Sequence, residues 1–112
     1  MNLHSTYHNG INLISVGDRR IDSSVAIRFK DLMRSLTETG PDHVILDMSG
    51  VTFIDSSGLG AVVGALKQLP TGKRLDLAGL TRDVANVFRL TRLDTVFTIH
   101  PDAARCLSRA AG

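Results

Sequence analysis

The sequence predicts a single α/β domain over residues 1–112, with a mixed sheet of about five strands and about four helices. Short β-rich apolar runs alternate with stretches whose apolar residues recur at helical spacing. A length of 112 residues suits one domain. Hydrophobic residues at 43% and charged residues at 21% lie close to globular averages, which excludes a disordered or fibrous chain.

The chain opens with a predicted antiparallel pair of strands. Residues 3–7 and 11–16 are the two strands, and the second of them alternates in polarity. The dipeptide Asn9-Gly10 between them favours a tight hairpin turn. Residues 17–21 then break the strand pattern.

A first helix follows this break. Asp22, Ser23 and Ser24 offer a helix cap, and Gly40-Pro41 ends the segment. Five apolar residues fall on one face of this helix: Val25, Phe29, Leu32, Met33 and Leu36.

Further strands and helices alternate along the rest of the chain. Val44 to Leu46 is a continuous apolar run, as expected of a parallel strand buried on both faces. The remaining elements are an apolar strand region at 51–54, a helix carrying the apolar positions of 59–69, a strand at 74–77, a helix over 81–93, a strand at 96–99 and a short helix at 102–110.

Composition excludes several classes of function. Thirteen basic and 11 acidic residues give a net charge of only +2. Four Phe and one Tyr are also too few to form a surface on which nucleic-acid bases stack, so we expect no direct nucleic-acid binding. Cys106 is the one cysteine, which excludes a disulfide framework and leaves packing as its expected role. No apolar run approaches the roughly 18 residues of a membrane span, and no secretory signal is recognisable. We therefore expect a cytoplasmic protein without membrane insertion.

One segment is unusual in composition. Between the strand region at 51–54 and the second helix lie Asp55, Ser56, Ser57 and Gly58. A serine here can simply cap the helix. The hydroxyls and glycines also crowd the point where helix N–H groups and the helix dipole favour an anion such as phosphate.

Glycines inside the second helix need a reason, because each costs about 1 kcal/mol relative to alanine in an exposed helix. Gly60 and Gly64 lie one turn apart on the face away from its apolar residues. Tight packing inside the domain is one explanation. Docking of a partner helix or backbone against this strip is the other.

The sequence supplies no recognisable catalytic set. Ser56 is not in the Gly-x-Ser-x-Gly setting of a hydrolase, and no histidine carries a local signature that places it beside a serine. Gly58 and Gly60 lack the further glycine of a dinucleotide-binding loop, and no phosphate-binding Gly-Lys-Ser/Thr loop occurs. Paired metal-ligand spacing is also missing. We expect a protein that is not an enzyme and that uses no cofactor and no metal.

The stretch from Asp47 to Gly60, DMSGVTFIDSSGLG, resembles the signature of STAS domains, in particular bacterial anti-sigma factor antagonists. The resemblance extends over nearly the whole chain. Residues 18–22 look like the family's loop before its first helix, and residues 84–97 look like its late helix and strand. Arg92 departs from the pattern, since a glycine is common there, and the pI of about 9.1 is high for this family.

This resemblance implies a role in partner switching. Such an antagonist binds an anti-sigma factor that is a GHKL-type serine kinase, so that the sigma factor is released. The kinase phosphorylates the serine after the motif aspartate, here Ser56, and a PPM-type phosphatase reverses the reaction. Asp55 is expected to orient the hydroxyl, Ser57 to cap the helix, and Asp22 to belong to the partner surface.

The implied partner surface comprises Asp22, Asp55, Ser56, Ser57, Gly58, Gly60 and Gly64. Phosphorylation adds roughly −1.5 to −2 charge, which a helix N-terminus tolerates but a partner shaped for a neutral hydroxyl does not. We expect a monomer or weak dimer. The alternative reading is a STAS subunit of a phospholipid-transport ATPase complex, which uses the same scaffold without a serine switch.

Overall fold

The computed structural model describes the backbone of residues 1–111 and the side chains of residues 1–107. Gly112, the predicted end of the domain, lies outside the described residues. The strands are β1 (Leu3–His8), β2 (Ile11–Val16), β3 (Arg20–Ile21), β4 (His43–Asp47), β5 (Phe53–Ile54), β6 (Arg74–Ala78) and β7 (Ile99–His100). The helices are α1 (Ala26–Thr37), α2 (Ser56–Lys67), α3 (Arg82–Leu90) and α4 (Ala103–Ala111), with a 3₁₀ turn at Leu93–Thr95.

The main sheet has five strands in the order β1-β2-β4-β6-β7. β1 pairs with β2 in antiparallel fashion, and the other neighbours are parallel. The predicted fold, a mixed five-stranded sheet with an N-terminal antiparallel pair and four helices, is confirmed for residues 1–111. None of the helices in this range is long and apolar enough to cross a bilayer.

Helices cover both faces of the sheet because the central strands are apolar on both sides. In β4, Val44 and Leu46 join the large core that also contains side chains of α1, α2 and α3. Ile45, between them, points to the other face and packs in a smaller cluster with Cys106 of α4. The buried position of Cys106 confirms its predicted packing role.

A separate two-stranded sheet lies outside the main one. β3 pairs in parallel with β5, with Arg20 opposite Phe53 and Ile21 opposite Ile54. Residues 17–21, expected only to break the strand pattern, contain β3, because strands of two residues are too short to show a period. This small sheet joins the loop before α1 to the chain that enters α2.

The predicted cap of the first helix is wrong. The N-cap of α1 is Val25, and no side chain caps it. Asp22 lies three residues before this position, so its carboxylate accepts instead from the backbone N–H of Ser24, at 3.1 Å, and from the Ser24 hydroxyl. An aspartate that hydrogen-bonds two residues onward forms a local turn and leaves the helix end to other groups.

The last strand is shorter and later than predicted. Residues 93–95 form a 3₁₀ turn, and the strand begins only at Ile99. Phe97 is buried, with its ring edge-on to Phe88 at 6.2 Å between centroids, so its burial comes from packing on α3. Arg92, before this turn, has φ +61°, a left-handed conformation that favours glycine. The glycine expected from the family resemblance therefore has a conformational reason.

Candidate functional site

Asp55 fixes the start of α2. It is the N-cap, in extended conformation, and its Oδ1 accepts from the backbone N–H of Gly58 at 2.8 Å. Its Oδ2 accepts from the backbone N–H of Ser23 at 3.2 Å. One carboxylate therefore ties the loop before α1 to the helix that carries the serines.

Ser56 and Ser57 are the first two residues of α2, and both are exposed. Asp55 caps the helix, so the predicted capping role of Ser57 is wrong. The physical reason is position, because a capping side chain must precede the first helical residue. Within the described part of the chain, neither serine hydroxyl makes a hydrogen bond, and both face solvent.

The orienting role predicted for Asp55 is also corrected. Its two oxygens are engaged by the backbone N–H groups of Gly58 and Ser23, and neither contacts the hydroxyl of Ser56. The carboxylate stands next to Ser56 as expected. Its contribution there is to hold the helix end in place and to set a negative charge beside the serine.

Asp22 lies at the same end of the molecule, because Asp55 binds the next residue along, Ser23. Its Oδ2 accepts from Arg20 Nε at 3.3 Å, and the Arg20 guanidinium stacks over the Phe53 ring at 4.0 Å from the centroid. The hydroxyl of Ser24 and then the Arg20 guanidinium hold the pKa of the Asp22 carboxyl below its usual value. Asp22 is therefore a fixed negative charge.

The three glycines of α2 have different surroundings. A Cβ on Gly58 would lie 2.0 Å from the Ile21 carbonyl oxygen, so Gly58 is required by close packing between α2 and β3. A Cβ on Gly64 would lie 2.9 Å from the Lys30 side chain of α1. Gly60 has open space around it. Internal packing, one of the two explanations from sequence, accounts for Gly58. At Gly64 the near atoms belong to the end of a flexible lysine, which can move aside, and Gly60 stays open to a partner.

Together these groups form one pole of the molecule, which we call the α2 pole: Asp22, Ser23 and residues 55–60. A shallow surface cavity of about 270 Å³ adjoins it, lined by Asp18, Arg19, Arg20, Asp22, Ser24 and Val25. The N–H groups of the first helical turn and the helix dipole favour an anion at exposed Ser56. This arrangement suits a serine that gains a phosphate while the backbone around it stays fixed.

A second polar cluster lies within the main sheet. Asp76 of β6 is buried, and its Oδ2 is 2.9 Å from His43 Nε2, from His100 Nε2 and from the Arg74 guanidinium. Burial raises the pKa of the Asp76 carboxyl, but the hydrogen bonds from His100, His43 and Arg74 outweigh it, so the pKa lies below the usual value. We call these four residues the Asp76 cluster.

The Asp76 cluster was not predicted from the sequence, because its members are up to 57 positions apart, from His43 to His100. The contact between Ser23 and Asp55 was not predicted either. One signal was available for the cluster: a charged residue, Asp76, stands between the apolar residues Leu75 and Leu77 of a strand. A buried charge of this kind requires partners.

Residues 6–106 match the family model described as STAS domain. The chain belongs to the STAS domain family. The resemblance carried by residues 47–60 is thereby confirmed. The "Anti-sigma-B factor antagonist" of Staphylococcus epidermidis is 24% identical over 101 residues, which cover 89% of this chain and 93% of that protein.

Solved structures share the same STAS fold. An anti-sigma factor antagonist from Mycobacterium paratuberculosis has a TM-score of 0.84 at 21% identity, covering 99% of this chain and 94% of that one. The anti-sigma factor antagonist SpoIIAA, unphosphorylated, has a TM-score of 0.77 at 18% identity, with coverage of 99% and 97%. SpoIIAA from Bacillus in its phosphorylated form has a TM-score of 0.69 at 16% identity, with coverage of 96% and 98%. At these identities the likeness establishes the fold.

Proposed function

We propose that this STAS domain is an anti-sigma factor antagonist whose α2 pole binds an anti-sigma factor, and that phosphorylation of Ser56 switches this binding off. The observation that carries the proposal is the Ser56 hydroxyl. It is exposed, makes no hydrogen bond within the described residues and stands at the first position of a helix already capped by Asp55. A kinase can therefore reach it without any rearrangement of the fold.

The hydrogen bonds that hold the backbone of the α2 pole do not depend on the Ser56 side chain. The N–H of Gly58 is held by Asp55 Oδ1, and the loop at Ser23 is held by Asp55 Oδ2. Neither bond involves Ser56. The helix N-terminus stabilises added negative charge, so the modification leaves the domain folded.

The same phosphate opposes binding of a partner. Asp22 and Asp55 already place two carboxylates at this pole, and a phosphoserine adds roughly −1.5 to −2 charge beside them. A partner surface that fits these carboxylates and a neutral hydroxyl meets like-charge repulsion and a larger group after phosphorylation. The complex therefore dissociates while both proteins stay folded.

The proposed partners follow from the family resemblance. The anti-sigma factor is a GHKL-type serine kinase, and a PPM-type phosphatase restores the free hydroxyl. A relative named as an anti-sigma-B factor antagonist and the phosphorylated form of SpoIIAA among the similar structures support this assignment. The domain acts as a binding module in the cytoplasm, as a monomer or weak dimer, and catalyses no reaction.

The switch is tested by a matched pair of variants, Ser56→Ala and Ser57→Ala. Both serines are exposed in the first turn of α2, and among the described residues neither hydroxyl has a hydrogen-bond partner, so each substitution removes one solvent-facing hydroxyl. With the cognate kinase and ATP, Ser56→Ala should take up no phosphate and keep its kinase affinity, while Ser57→Ala should be labelled. Peptide mass mapping locates the phosphate, and its presence on Ser57 would overturn the assignment.

The class of partner is tested by capture from the native cell with the unmodified protein and with Ser56→Asp. We expect a serine kinase to be recovered by the unmodified protein and depleted with Ser56→Asp. Recovery of a transport ATPase, equally by both baits, would instead support the phospholipid-transport alternative. That result would contradict the proposed antagonist role.

A further inference from the structure

We propose that His43, Asp76 and His100 form a binding site for a divalent transition-metal ion of the zinc class. Each residue offers one ligand atom, and these three atoms all lie within 4.8 Å of one another. Neither the proposed partner switch nor the family assignment depends on this site. The two sites also belong to different parts of the fold, since Ser56 begins α2 and these three residues lie on strands of the main sheet.

The sheet topology assembles the three ligands. β4, β6 and β7 are consecutive in the sheet, and His43, Asp76 and His100 come from these strands in that order. Ile45 is the register partner of Asp76, and His43 is two residues before Ile45 on the same face. Ala78 pairs with His100, which places His100 on that face as well. This is the face that α4 covers, opposite to α1 and α2.

The donor set has the right chemistry for zinc and its neighbours. Two imidazole nitrogens and one carboxylate are ligands for Zn²⁺, Co²⁺ and Ni²⁺, and three protein ligands leave one position for water. Ligand atoms around a tetrahedral zinc ion lie about 3.3 Å apart, given bonds of about 2.0 Å. Both histidines present Nε2 at 2.9 Å from Asp76 Oδ2, so each of these two pairs needs to part by only a few tenths of an ångström, and all three ligand atoms lie within 4.8 Å of one another.

Asp76 is the buried ligand of this site, and His43 is the ligand that solvent can reach. The Asp76 side chain is only 3% exposed, which keeps its carboxylate fixed among its partners. The His43 side chain is 30% exposed and borders a surface cavity of about 160 Å³ that Asp42, Gly72 and Arg74 also line. An ion can enter from this cavity, and the carboxylate of Asp42 adds negative charge to the entrance.

Arg74 occupies the place of the cation when no metal is bound. Its guanidinium lies 2.9 Å from Asp76 Oδ2, yet its side chain is 63% exposed and can turn to solvent. An imidazole that donates from Nε2 to Asp76 carries a proton on that nitrogen. On coordination that proton moves to Nδ1 and frees the Nε2 lone pair.

Calorimetric titration with zinc chloride tests the site on the full chain, prepared without a histidine tag and freed of metal with a chelator. We expect saturable binding of one Zn²⁺ per chain. His43→Gln and His100→Gln should each weaken it at least about tenfold, because each removes a ligand. Glutamine keeps an N–H donor for Asp76, so these variants preserve the hydrogen bond that the fold uses. His8→Gln, on exposed β1, is the matched control and should bind as the unmodified protein does.

Two further measurements make the outcome decisive. Co²⁺ in place of Zn²⁺ should give visible absorption bands of a four-coordinate ion, and these should vanish in His100→Gln. Arg74→Gln should tighten zinc binding, since it removes the competing cation. The proposal is overturned if the unmodified protein shows no saturable binding, or if His8→Gln loses affinity as much as His43→Gln does.

Discussion

Asp55 and Asp76 are both held by hydrogen bonds, but the kind of donor differs. Asp55 accepts from two backbone N–H groups, those of Gly58 and Ser23. Asp76 accepts from three side chains, of which two are imidazoles and one is a guanidinium. Backbone donors have no net charge and do not titrate. A neutral imidazole has one donor and one acceptor nitrogen, and either nitrogen can become a metal ligand once it carries no proton.

This difference in hydrogen-bond donors gives the two regions different properties. In the proposed switch, the α2 pole keeps its backbone shape while phosphorylation changes the charge of Ser56. The Asp76 cluster instead depends on side-chain donors to one buried carboxylate, whose pKa they hold below its usual value against the effect of burial. Four substitutions test this contrast.

The largest expected effect comes from Gly58→Ala. A Cβ there would lie 2.0 Å from the Ile21 carbonyl oxygen, and backbone cannot yield as a flexible side chain does. We expect the free energy of unfolding to fall by about 3 kcal/mol, the upper part of the range for overpacking. Chemical denaturation measures it.

Gly60→Ala is the control for Gly58→Ala, because no atom lies within 4 Å of a Cβ at this position of the same helix. It should raise stability by up to about 1 kcal/mol through helix propensity. Equal effects of the two substitutions would show that the close approach at Ile21 is unimportant.

Asp76→Asn should lower the free energy of unfolding by about 1–3 kcal/mol near pH 7, since three donors lose a charged acceptor. The pKa of Asp76 is lower in the folded than in the unfolded protein, so its stabilising effect is full above the unfolded value. That effect is lost as pH falls through the folded value. Urea denaturation from pH 7 downward, with chelator present, should show the two proteins converging in acid.

A difference between the unmodified protein and Asp76→Asn that stays constant down to the acid limit of folding would contradict this account. It would mean that the ionised carboxylate contributes nothing beyond its shape. His43→Gln keeps a donor to Asp76 and serves as the control, with a smaller loss of stability.

Asp55→Ala should cost about 1 kcal/mol, the usual effect of removing a helix cap. The N–H groups of Gly58 and Ser23 lose their acceptor together, so both should exchange with solvent faster in hydrogen-exchange measurements. Asp55→Asn keeps one acceptor oxygen, which can still cap α2 at Gly58, while its NH2 group cannot accept from Ser23, so the loss of stability should be smaller and the faster exchange confined to Ser23. Unchanged exchange at Ser23 in Asp55→Ala would exclude the link between the loop and the helix.

Ser56→Asp should change stability least, by roughly 0.3–1 kcal/mol in the stabilising direction, because the helix dipole favours the charge. The carboxylate of Asp55 beside it works against this gain. Thermal unfolding compares it with Ser57→Asp, which adds the same charge one residue later. A loss of more than about 1 kcal/mol in Ser56→Asp would show that the pole does not tolerate negative charge.

The sequence by itself determined most of the fold. Apolar periodicity located the four helices, and the run at 44–46 identified the central strand, because these signals need only neighbours within a few turns or residues. The stretch from Asp47 to Gly60 identified the family and placed Asp55 and Ser56 at the start of a helix. Asn9-Gly10 predicted the hairpin, and Asn9 and Gly10 both adopt positive φ there.

The local sequence pattern did not predict which polar residue caps each helix, because the same residues can also form turns or face solvent. Asp22 to Ser24 contain good capping residues, yet Asp22 forms a turn with Ser24 and α1 starts after uncapped Val25. Ser57 is a good capping residue too, but Asp55 holds that position. The N-cap is the residue just before the first helical residue. Its position depends on how the chain enters α1 from β3 and α2 from β5.

Only the tertiary structure decided the Asp76 cluster. Asp76 needed partners as a charge within a buried strand, but its donors lie 33 positions before and 24 positions after it, besides Arg74 nearby. Strand order and register bring them to one face, and these depend on the packing of the whole sheet. The sequence determined that the buried carboxylate of Asp76 needs hydrogen-bond donors. Contacts between distant residues leave no periodic pattern in the sequence, so only the fold determined which residues supply those donors.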